Sequence, residues 1–157
     1  MSDTKIKAPP NTLYETDFYA WTQEQARLLR ERRFDDLDLD NLVDEVESVG
    51  SSEKREIRNR LKILLTHLLK WKFQPGLRGN SWRRTIREQR DTLAEIVQSS
   101  PSLRAYVLER IHICYIGATV AASEETGVAI GIFPEKCPFS ADEMLDFEFF
   151  PEDPRNE

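Results

Sequence analysis

Histidine and cysteine are scarce in this sequence of 157 residues, which has two of each. Cys114 and Cys137 have no CxxC spacing, and the chain has too few cysteines for a disulfide framework. Cys114 lies about 200° round a helix from His112, which argues against joint metal ligation. The sequence therefore predicts no bound metal and no other cofactor, and a reducing cytoplasm as the protein's location.

Long apolar runs are also missing. No stretch reaches the roughly 18 apolar residues that a membrane helix requires, and the opening MSDTKIKAPP has no apolar core of a signal peptide. Nucleophile elbows, P-loops and dinucleotide-binding fingerprints are absent as well. We expect a protein outside the membrane, and the missing motifs favour a protein that is not an enzyme.

A strongly amphipathic helix is present between Ser52 and Pro75. Its apolar residues recur at spacings of four, three, four and three, which places them on one face of an α-helix. Leu65 and Leu69 widen that face. Other helices must cover this face. We expect the first and fifth predicted helices to pack against it and to bury four of its residues together, Leu61, Leu64, Leu68 and Trp71.

The rest of the chain predicts an all-α, single-domain bundle of four to five main helices around this central helix. An irregular C-terminal cover with a short capped helix, starting at Ser140 with Glu143 in a capping box, completes it. Gly50 and Gly127 are predicted helix ends, and 128–133 is either strand or coil. The other predicted segments are a flexible tail at 1–11, a helical domain at 12–150 with helices at 13–33, 40–49, 82–98 and 101–126, and an acidic tail at 151–157.

Charge is unevenly distributed along the chain. The stretch 54–90 has twelve Lys or Arg residues and two acidic residues, whereas 35–53 has eight acidic residues and no basic residue. Two interpretations stay open: the two stretches pair with each other, or one of them faces a charged partner. Under the first interpretation, Arg58 and Arg87 have carboxylate partners.

The basic stretch is also interleaved with aromatic residues, a mixture that suits nucleic acid. Because Trp71 and Trp82 fall on the apolar faces of their helices, we favour core positions for both. The candidate partner surface in this stretch consists of Arg83, Arg84, Arg87 and Arg90.

His67 is the candidate functional histidine. It lies one turn from Trp71, at the edge of the central helix's apolar face, and belongs to no HxxE, ExxH or HExxH motif. This position favours a hydrogen-bonded structural histidine. The alternative is an unrecognised enzyme with a site near His67.

Several blocks of the sequence carry a family resemblance. They include LYETDFYAW, LDNLVDEVESVG, HLLKWKFQP and FPEKCPF followed by LDFEFFP. Over about residues 13–151 the chain resembles family 29 of the domains of unknown function, which is common in cyanobacteria and other bacteria. The resemblance implies a helical fold and brings no established activity, substrate or catalytic residue.

Three hypotheses for function follow. The leading one is a small cytoplasmic helical module that acts through protein contacts, as a regulator of another protein or as a homodimer. The second is nucleic-acid binding through 54–90. The third is the unrecognised enzyme near His67.

Overall fold

A computed structural model of the protein describes residues 12–153. It is 79% helical and has no strand in the described range, which confirms the predicted all-α bundle. The α-helices are α1 (Thr12–Thr16), α2 (Phe18–Arg30), α3 (Leu39–Phe73), α4 (Asn80–Ser99), α5 (Arg104–Thr126) and α6 (Ala141–Leu145). None of the helices within 12–153 is long and apolar enough to cross a membrane. The predicted tail at 1–11 lies outside the described residues.

The chain divides into two compact units, Met1–Gly50 and Ser51–Glu157. The single helix predicted at 13–33 is two helices, α1 and α2, because Asp17 caps α2 by accepting a hydrogen bond from the amide of Ala20 at 3.0 Å.

Side-chain hydrogen bonds join α1 and α2 to Asp38, just before α3, and to the second turn of α3. The indole of Trp21 donates to the Asp38 carboxylate at 3.0 Å, and the Tyr14 hydroxyl donates to Glu45 at 2.7 Å. Trp21 itself is buried. These bonds fix which side of the start of α3 faces α1 and α2.

The predicted helix end at Gly50 is wrong, since α3 continues through this residue for 35 residues in all. A glycine inside a helix costs only about 1 kcal/mol relative to alanine, which a long helix tolerates. By contrast, Gly127 does end α5, with a left-handed φ of 74°.

The second unit has the main hydrophobic core. The predicted burial of Leu61, Leu64, Leu68 and Trp71 is confirmed, and Val107 and Ile111 of α5 belong to the same cluster. No described residue of the first predicted helix is a member of this cluster. Two other parts of the chain, α4 and the C-terminal segment (residues 128–153), contribute to the cluster. Their members are Ile86, Leu93, Phe133, Phe139 and Met144.

The C-terminal segment packs as irregular cover with one short helix, as predicted. The capping box between Ser140 and Glu143 is present at the start of α6. The segment that was left open between strand and coil contains a short 3₁₀ turn, Ile130–Ile132.

Candidate interaction surfaces

Arg90 belongs to the core and not to the predicted partner surface. Its side chain is only 1% exposed, and its guanidinium donates to three main-chain carbonyls. The acceptors are Met144 at 2.7 Å, Phe149 at 2.9 Å and Glu143 at 3.2 Å. Burial lowers the pKa of Arg90 to about 10, and the nearby Asp146 opposes that shift. The group stays charged at neutral pH and joins α4 to the C-terminal segment.

The other three predicted arginines do lie on the surface, along one side of α4. Arg83 lies over the rings of Trp71 and Phe150, at 5.5 and 5.3 Å. Arg84 has Glu88 at 3.7 Å. Arg87 has no hydrogen-bond or ion-pair partner among the described residues, which contradicts the carboxylate partner predicted for it.

The groove beside these arginines has mixed charge. It is lined by Asn80, Arg83, Arg84, Arg87, Glu88 and Asp91. The carboxylates of Glu88 and Asp91 would lie close to any phosphate bound by Arg84 or Arg87, so this surface is a poor match to a polyanion.

Other cations of the basic stretch have partners within the second unit. Arg58 donates to the Tyr106 hydroxyl at 2.7 Å, so its predicted carboxylate partner is wrong. Arg60 pairs with Glu56 one turn earlier. Lys70, with a side chain 10% exposed, pairs with Glu125 at 2.7 Å. Ion pairs within the second unit thus neutralise part of the positive charge of residues 54–90.

His67 is half-buried on α3, and its Nδ1 lies 2.9 Å from the carbonyl oxygen of Ile63. Because a carbonyl can only accept, Nδ1 carries the proton and Nε2 the lone pair. Burial lowers the pKa of His67, although the bond to Ile63 opposes this, so the ring is neutral at pH 7. This geometry matches the structural interpretation of His67.

Metal-binding residues do not converge in the part of the chain that the structure describes: no three His, Cys, Asp or Glu side chains there could hold one ion. The helix α5 does contain a Glu-x-x-His pair, Glu109 and His112, which are both exposed. Cys114 and Cys137 are free thiols, and burial raises the pKa of each.

A surface that sequence reasoning missed lies on the first part of α3. Four apolar residues, Leu39, Val43, Val46 and Val49, are exposed by 58%, 53%, 71% and 67%. At about 100° per residue they fall within one third of the helix circumference. We name these four residues the α3 stripe. The helical spacing of Leu42 and the three valines predicts that all four point inward, and for the valines this prediction is wrong.

Unpaired carboxylates border one side of the α3 stripe. Asp40 and Glu47 lie three residues before and four residues after Val43, which places them beside it on the helix surface. Asp44 lies further round the helix. All three are exposed and have no hydrogen-bond or ion-pair partner among residues 12–153.

A second exposed apolar area lies on the second unit. It consists of Ile113, Ile116 and Val120 of α5 with Ile130 and Ile132 of the following turn. A groove of about 200 Å³ runs beside it, lined by Ile116, Thr119, Ile130 and Phe133 among others.

Comparison with known proteins places the chain in a family. The family model described as "Domain of unknown function DUF29" matches residues 13–150, most of the chain. The chain belongs to this family. No curated protein and no solved structure shows detectable similarity to it. Membership of the DUF29 family assigns no activity, so the function of this DUF29 domain has to be argued from its own surfaces.

Proposed function

We propose that this DUF29 domain is a helical protein-interaction module that acts in the bacterial cytoplasm and binds its partner through the α3 stripe. The observation that carries the proposal is the exposure of four large apolar residues along one face of one helix. Contiguous exposed apolar surface of this kind is typical of interaction sites.

The choice of valine at these positions supports the proposal. Valine is stiff at χ1 and is a weaker helix former than leucine, lysine or glutamate. At these largely exposed positions, Val43, Val46 and Val49 thus add little burial and little helix propensity to the fold. A partner that covers them would recover roughly 25 cal/mol for each Å² of apolar surface removed from water.

The two other hypotheses have less support. For nucleic acid, the core position of Arg90 and the carboxylates beside Arg84 and Arg87 reduce the usable positive surface. For an enzyme, the Nδ1 of His67 is already bonded to the main-chain carbonyl of Ile63, and Glu125, the carboxylate that acts on its ring, is paired with Lys70. Self-association as a homodimer stays a prediction, which sedimentation velocity would test.

Site-specific photo-crosslinking in the native host tests the proposal. A photoreactive phenylalanine analogue at position 46 should give one adduct of defined mass, whose second component is a protein. Ser48 is the matched control, because it is exposed on the same helix and points about 200° away. The adduct at position 46 should weaken when Val43→Ser is added. Equal labelling from positions 46 and 48, or no protein adduct from position 46, would contradict the proposal.

A further inference from the structure

We propose that the partner segment is an amphipathic helix whose apolar side is flanked by lysine and arginine. This inference rests on the proposed function and names the chemistry of its partner. Three features of the α3 stripe and its surroundings carry it: the spacing of its residues, the position of Gly50 and the charge along its border.

The spacing within the α3 stripe matches helix-to-helix docking. Leu39, Val43 and Val46 are separated by four and three residues, which is the repeat by which one helix packs along another. From Leu39 to Val49 the stripe is about 15 Å long, or three helical turns. A partner helix that presents its own apolar residues at the same repeat would cover it, as in other helix-binding proteins.

Gly50 extends the same face toward the second half of α3. It follows Val46 by four residues, and a Cβ atom added to it would meet no atom within 4 Å. The fold therefore places no steric demand for glycine at this helix-interior position. The missing side chain exposes the helix backbone at the end of the α3 stripe, where a partner helix could approach closely.

The negative charge beside the α3 stripe favours a partner helix with positively charged flanks. Asp40, Asp44 and Glu47 are exposed without partners among the described residues, and 35–53 contains no basic residue. Lysine or arginine at the edges of the bound helix would pair with these carboxylates, whereas acidic residues there would be repelled. The same repulsion disfavours a symmetric dimer in which two α3 stripes face each other, and disfavours an anionic membrane surface.

Peptide binding to the full chain tests the inference. The probes are four labelled peptides of about 14 residues, long enough for about four helical turns. Three share leucines at helical spacing and differ in their flanking residues, which are lysine and arginine, glutamate, or glutamine. The fourth has the composition of the basic peptide with the leucine spacing scrambled. Fluorescence anisotropy at two salt concentrations measures the affinity of each.

We expect the basic amphipathic peptide to bind at least about tenfold more tightly than the other three, and to weaken as salt rises. Val46→Ser should weaken that binding by about tenfold through lost apolar contact. Glu47→Lys should weaken the basic peptide and strengthen the acidic one. Ser48→Ala, on the opposite side of the helix, should change neither.

Four results would overturn the inference. They are equal binding of the acidic or the scrambled peptide, no binding of any peptide at about 100 μM, a dimer in sedimentation velocity that Val46→Ser abolishes, and binding to anionic vesicles that competes with the basic peptide. The crosslink from position 46 reports on the proposed function separately. A protein adduct there, combined with any of these results, would keep the interaction module and discard the basic helix as its partner.

Discussion

The guanidinium of Arg90 and the main-chain carbonyl of Met144 are joined by a buried hydrogen bond of 2.7 Å. Two further bonds, to the carbonyls of Glu143 and Phe149, complete the arrangement. A planar guanidinium presents five N–H donors in a fixed fork, so it can donate to several carbonyls at once in one defined geometry. Arg90 therefore supplies donors to one buried and two partly buried carbonyls at and after α6.

Replacing Arg90 should destabilise the fold strongly. Arg90→Leu leaves three carbonyls without this donor, at about 1 kcal/mol or more for each group. We expect the free energy of unfolding to fall by about 3 kcal/mol or more in urea titrations. The control is Arg87→Leu on the exposed side of the same helix, which should change it by less than about 0.5 kcal/mol. Equal effects of the two substitutions would show that the Arg90 bonds add nothing in solution.

The buried position of Arg90 could be predicted from the sequence only in part. Its spacing of four residues after Ile86 and three before Leu93 places it on the buried face of α4, and this signal was available. Its charge and its neighbours Arg83, Arg84 and Arg87 indicated the surface instead. Only the fold shows that the carbonyls of a segment more than 50 residues later satisfy it.

Packing of the central helix predicts a second stability effect. Leu64 is fully buried in the cluster that joins α3, α4 and α5. Leu64→Ala should cost about 2–5 kcal/mol, because it removes apolar contacts and leaves a cavity. Leu77→Ala is the control, since Leu77 is 61% exposed. An unchanged melting temperature for Leu64→Ala would show that this face of the helix is wrongly assigned.

This core was predictable because apolar spacing identifies a helix face directly. The α3 stripe was not, because its valines follow the same spacing rule and the rule cannot distinguish a face covered by the same chain from one open to solvent. The helix end wrongly assigned to Gly50 strengthened that error, since a short separate helix would have needed to bury its valines. Continuity through Gly50 removes that requirement.

His67 should make stability fall at mildly acidic pH. Burial lowers its pKa below the ordinary value of 6.5, so below that pH the unfolded chain takes up a proton more readily than the folded protein. The stability from the neutral ring is thus complete above pH 6.5 and declines as the pH falls below it. We expect the free energy of unfolding to drop less between pH 7.5 and 5.5 in His67→Asn than in the wild type. Parallel pH profiles would contradict a pKa of His67 that folding lowers.

Nucleic-acid binding should be weak. With Arg90 buried, Arg60 and Lys70 paired with carboxylates, and Glu88 and Asp91 lining the groove beside Arg84 and Arg87, part of the positive charge of 54–90 is not available to neutralise phosphates. We expect no affinity tighter than about 10 μM for single- or double-stranded oligonucleotides at physiological salt. Titrations of labelled oligonucleotides at two salt concentrations measure this. Sub-micromolar binding that collapses with salt, and falls further in an Arg83→Ala/Arg87→Ala variant, would place nucleic acid ahead of a protein partner.

In our proposal, the α3 stripe serves a partner and does not stabilise the protein's own fold. The most direct measurement is the free energy of unfolding of the purified Val43→Ser/Val46→Ser variant. Since serine and valine have similar helix propensities, we predict a change of less than about 0.5 kcal/mol. A loss of about 2 kcal/mol or more would show that these valines are buried within the chain in solution. That result would contradict the exposed stripe and, with it, both proposals that depend on it.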